Sequence, residues 1–122
     1  MKKIALSLFV GLTALAFNAQ AHGTAKAQHG GVVQMAGDLS FELVAQGDGA
    51  ALYVVDHDKP ADVSKFGGKL TVLSGTEKRE ADLKPAGGNK LEAAAKLGKG
   101  AKAVATVTVP GGKTLTVRFA VK

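Results

Sequence analysis

From residue 31 to the end, the chain alternates apolar and polar side chains with a period of two. Turn-forming residues interrupt that alternation at roughly 8–12-residue intervals. Period two is the spacing of side chains along a strand with one buried face, and it is incompatible with a helix, whose faces repeat near 3.6 residues. The segments 31–36, 39–46, 50–56, 69–74, 78–84, 101–109 and 113–121 all read as strands. In 39–46, Leu39, Phe41, Leu43 and Ala45 share one face, with Ser40, Glu42 and Gln46 on the other. In 101–109, Ala103, Ala105, Val107 and Val109 oppose Lys102, Thr106 and Thr108. Between the strands stand Gly37-Asp38, Gln46-Gly47-Asp48-Gly49, Ser74-Gly75-Thr76, Pro85-Ala86-Gly87-Gly88 and Pro110-Gly111-Gly112, all turn chemistry.

The segment 91–96 (LEAAAK) holds good helix formers. It spans barely two turns with Gly98 close behind, and helices that short are marginal. It is therefore read as a further strand. The longest connection is 57–68, punctuated by Pro60 and Gly67-Gly68. Seven or eight short strands predict an all-β domain, an antiparallel β-sandwich that is immunoglobulin-like in the broad sense. Its expected core holds Phe41, Leu43, Leu52, Val54, Leu70, Val72, Val107, Leu115, Val117 and Phe119.

Ahead of this domain, Lys2 and Lys3 precede an uncharged apolar run over 4–17, and Asn18-Ala19-Gln20-Ala21 closes it with small residues. The run is short for a membrane span, and the ending suits signal peptidase. The expectation is a signal peptide over 1–21, a mobile metal-binding arm over 22–30 and the sandwich over 31–122. Removing 21 of the 122 residues leaves 101, enough for one core and no stable membrane anchor.

The chain carries 16 Lys+Arg against 10 Asp+Glu, and losing Lys2 and Lys3 reduces the net charge from +6 to +4. The lysines are scattered, there is no Trp, and Tyr53 is the single Tyr, which argues against a nucleic-acid surface. With no cysteine, an exported domain lacks both a disulfide framework and thiolate ligands. A metal site would have to use imidazole, amine, carboxylate, carbonyl or thioether. Among divalent ions such a donor set favours copper, as Cu(II), with zinc and nickel behind it.

Two of the three histidines lie in the stretch 22–31 (HGTAKAQHGG). Cleavage after Ala21 would make His22 the first residue, so that its α-amine and Nδ1 could chelate one Cu(II). The alternative is a histidine left in a plain terminal tip. His29 lies seven residues on, within about 25 Å even fully extended, and could bring a second imidazole or merely mark the entrance to the first strand. His57, between Asp56 and Asp58, is a ligand shared with His22, a separate weak site or an ordinary loop residue. Strand direction places His29 and His57 at opposite ends of the sheet, about 20 Å apart along a strand. Met35 reads as core filler rather than a thioether ligand, and Tyr53 receives no role.

The order His29-Gly30-Gly31-Val32-Val33, then Phe41-Glu42-Leu43-Val44, then 52–60 (LYVVDHDKP) resembles a small periplasmic domain of heavy-metal efflux systems, found alone or joined to the adaptor proteins of metal-exporting pumps. The resemblance spans residues 28–121. It implies a periplasmic sandwich connected with copper, silver or related metals, and an efflux or copper-handling protein as partner. No adaptor hairpin or membrane-fusion domain follows, so a direct role inside a pump is not implied. A second similarity, limited to His22 and the fold class, is to small periplasmic copper carriers beginning with histidine. The expected function is a non-enzymatic, periplasmic metal-binding protein that buffers, delivers or helps expel copper. The alternatives are an oxidative copper enzyme with a terminal histidine brace and a metal-independent interaction module. No Ser-His-Asp arrangement, paired-carboxylate cleft or phosphate-cradling loop is legible.

Overall fold

The computed structural model describes residues 26–122. The leader and His22 therefore lie outside the described residues. Nine strands follow in order: β1 (Val32–Ala36), β2 (Leu39–Gln46), β3 (Gly49–Asp56), β4 (Lys59–Pro60), β5 (Gly67–Ser74), β6 (Glu77–Pro85), β7 (Lys90–Ala93), β8 (Lys102–Thr108) and β9 (Thr114–Ala120). Every pairing is antiparallel, and the spatial order is β1-β2-β3-β7-β6-β5-β8-β9 with β4 paired to β3. The described chain is thus all-β, and the segment 91–96 begins as strand, as its surroundings required.

β6 joins the two halves of the sheet. Its first part ladders with β5, and Lys84 and Pro85 pair with Glu92 and Leu91 of β7. The half containing β1, β2, β3 and β7 faces the half containing β5, β8 and β9 across one core. β1 also lies against β9, so the sheet nearly closes on itself like a barrel. The inward positions follow the alternation. Phe41, Leu52, Val54, Leu70, Leu91 and Val107 are fully buried, and Val117 and Phe119 nearly so. Burying each such side chain contributes about 1.5–3 kcal/mol.

Two local expectations change. Residues 57–68 are more than a connection: Lys59 and Pro60 form β4, and Val63 enters the core with no exposed surface. Hydrogen bonds hold this segment, from Val63 N–H to the Gly88 carbonyl at 3.2 Å and from Ala61 N–H to the Val54 carbonyl at 3.0 Å. Met35 is 44% exposed rather than core. It pairs with Ser40 on the outer face of β2, because the register puts Val32 and Ala36, opposite Leu43 and Leu39, on the inner face.

Candidate functional site

Outward-facing positions of the first three strands form the floor of the site. Glu42 on β2 pairs with Tyr53 on β3 and with Val33 on β1. A carboxylate at such a position would ordinarily sit in water. Here the segment before β1 folds back over it, and Glu42 is only 7% exposed.

The reversal depends on Gly30-Gly31. Gly30 has φ +75°, a left-handed conformation that a side chain resists. Gly31 passes so close to β2 that a Cβ would meet the Leu43 carbonyl oxygen at 2.2 Å. After this turn the backbone presents a row of N–H groups to Glu42. The Gln28 N–H donates to Oε1 at 2.9 Å, while the His29 and Gly31 N–H groups both donate to Oε2 at 2.8 Å. Burial alone would push the Glu42 carboxyl pKa up. The hydrogen bonds from Gln28, Gly31 and His29, with a smaller contribution from the His29 charge, outweigh it and hold the pKa below its ordinary value.

The His29 imidazole lies flat on the Tyr53 ring, with centroids 3.6 Å apart and planes 12° from parallel. Its Nδ1 is 3.9 Å from Glu42 Oε1, too far for a hydrogen bond. The ring borders a hollow of about 280 Å³ whose lining includes Lys26, Ser40, Tyr53, Asp58 and Asn89. From Gln28 onward, the segment expected as a mobile arm is tied to the sheet.

His57 is placed differently. His57 and Asp58 have φ 51° and 71°, the backbone of a tight two-residue hairpin between the paired residues Asp56 and Lys59. The His57 side chain is 75% exposed, with Nδ1 in hydrogen-bond reach of Asp56 Oδ1. It lines a separate hollow with Asp38, Phe66 and Leu115, whereas its neighbour Asp58 lines the hollow of His29. The arm's reversal carries His29 back to the middle of β3, so the end-to-end separation expected from strand direction is shortened without uniting the two imidazoles.

Among the described residues, no group of three His, Cys, Asp or Glu side chains is arranged to hold a metal ion. In the sequence His22 lies seven residues before His29. A further hollow of about 440 Å³, lined by Gln46, Asp82, Lys84 and Glu92, contains no histidine. Glu92 there has its pKa lowered by hydrogen bonds from Gln46 and then Lys90, an exposed polar cluster.

Glu42 and Tyr53 were not legible as site residues. In the alternating pattern Glu42 is one more outward-facing charge, and Tyr53 one more strand aromatic. The local signal is the Gly30-Gly31 pair beside His29, which permits the sharp reversal of the backbone. No family model, curated protein or solved structure matches this chain.

Proposed function

We propose that this chain is an exported, non-catalytic metal-binding protein that carries copper, with His29 and His22 as the imidazole ligands and the α-amine of a processed His22 completing the chelate. One observation supports this reading above the others: His29 is held in place, by its own N–H on Glu42 and its ring on Tyr53, at the root of the segment that bears His22. A tether of seven residues lets the terminal chelate reach the fixed imidazole at high effective concentration. The donors are nitrogen-rich and cysteine-free, which suits Cu(II) ahead of nickel and zinc. Export and the efflux resemblance make the periplasm its expected location and a copper-handling protein its expected partner. His57, in the β3–β4 turn and bordering a separate hollow, is left out of the proposed set.

The test uses the single tyrosine. Cu(II) held by an imidazole stacked on Tyr53 should quench tyrosine fluorescence, and there is no Trp to mask it. Titrating the protein that begins at His22 should give quenching that saturates at one equivalent. His29→Ala should bind at least tenfold more weakly, or about 1.4 kcal/mol. Equal affinities for the two proteins would overturn the reading. Steady oxygen consumption with copper and a reductant would point instead to the oxidative enzyme.

A further inference from the structure

We infer that Glu42 is the positioning residue of this copper site and not one of its ligands, an inference that rests on the function proposed above. Both carboxylate oxygens are committed to backbone donors, Oε1 to Gln28 and Oε2 to His29 and Gly31. A carboxylate offers about four lone-pair sites, so three are already used, and the side chain is nearly out of solvent. Turning toward a metal would strip acceptors from the very N–H groups that shape the arm. What Glu42 does instead is fix the backbone of His29, leaving Tyr53 to fix the plane of its ring.

The benefit is entropic. Residues 28–31 include two glycines, whose backbone loses much freedom on being fixed. Docking residues 28–31 in the metal-free protein means that this ordering does not have to accompany copper binding. Preorganisation of this kind raises affinity without adding a contact to the ligand.

Positioning and direct ligation are separated by two variants that disturb the dock from opposite sides. Glu42→Gln keeps the shape of the side chain but removes its charge and one acceptor oxygen. Gly31→Ala leaves Glu42 intact and obstructs the close approach to the Leu43 carbonyl. Each is made in the protein that begins at His22 and checked for an unchanged β-sheet circular-dichroism spectrum. Three quantities are then compared with wild type and His29→Ala: amide exchange at Gln28, His29 and Gly31 without metal, Cu(II) affinity by competition with a coloured chelator, and Tyr53 quenching per bound copper. Positioning requires faster exchange at these amides in both variants. It also requires about fivefold weaker copper binding in both, and less than half the wild-type quenching per copper, because the terminal chelate still captures metal away from the Tyr53 ring. Weakening by Glu42→Gln alone would make Glu42 a ligand and overturn the inference. Wild-type affinity in both variants, with His29→Ala still weak, would overturn positioning and leave the copper reading standing. Wild-type affinity in His29→Ala would remove the copper reading and the positioning role with it.

Discussion

Glu42 and Tyr53 face each other across the β2–β3 ladder, and His29, from a segment that belongs to neither strand, touches both. Its backbone N–H is bound by the carboxylate and its ring rests on the phenol ring. The folded-back arm and the outer sheet face thus form one small structure, with the imidazole as its centre.

Processing should create the strongest part of the proposed site. A protein that keeps an added Met before His22 retains all three imidazoles, but its terminal amine no longer belongs to the residue whose Nδ1 would close the chelate. The authentic terminus is expected to bind Cu(II) at least tenfold more tightly, about 1.4 kcal/mol. Calorimetric titration of the two forms measures it, and equal affinities would eliminate the terminal chelate.

The dock should be sensitive to acid. Because the folded-state pKa of Glu42 lies below the ordinary 4.5, docking stabilises the ionised form. That contribution is fully present above the ordinary value and is lost as pH falls through the lowered one. Amide exchange at Gln28, His29 and Gly31 should stay slow at pH 5 and above, once corrected for intrinsic rates, and accelerate below 4.5. In Glu42→Gln the acceleration should vanish because nothing remains to titrate. A wild-type profile that stays flat to pH 2 would contradict it.

The β3–β4 turn should accept its preferred residues without harm to copper binding. His57 and Asp58 both occupy left-handed backbone, which Asn and Gly adopt more readily. Replacing them together, His57→Asn with Asp58→Gly, is expected to raise stability by about 0.5–1 kcal/mol, because relief of left-handed strain exceeds the extra freedom that Gly gives the unfolded chain. The exposed His57–Asp56 pair that is lost is worth little. Denaturant midpoints read the gain. Cu(II) affinity within twofold of wild type would agree with a site built without either side chain.

Core positions should separate sharply from surface ones. Phe119 is 3% exposed, and Phe119→Ala is expected to cost about 3–5 kcal/mol, while Lys96→Ala on the exposed surface stays within about 0.5. Val63→Ser, in the middle of what reads as a loop, should cost at least about 2 kcal/mol, because a fully buried side chain is replaced by a hydroxyl. Chemical denaturation orders the three. A Val63→Ser midpoint equal to wild type would mean that the segment before β5 contributes nothing to the core.

Period-two alternation was sufficient for the strands, because burying one face of a strand demands it locally. Phe41, Leu52, Leu70, Val107 and Phe119 could be assigned inward from spacing alone, and they are inward. Turn chemistry at Gly47-Asp48 and Gly111-Gly112 likewise needs only neighbours along the chain. Register and long-range packing do not. Met35 resembles core until pairing with β2 sets it opposite Ser40 on the outer face. Val63 resembles loop until the segment before β5 folds onto β3 and the Gly88 turn. The candidate site depends on tertiary structure most of all. A single glutamate in an outward-facing row has no special property until a segment 11–14 residues upstream in sequence turns back and presents its N–H groups. The sequence alone could name His29 as a ligand candidate from its chemistry. Only the folded chain could assign Glu42 and Tyr53 to hold it, since hydrogen bonds and ring stacking act over a few ångströms of space, whatever the separation along the chain.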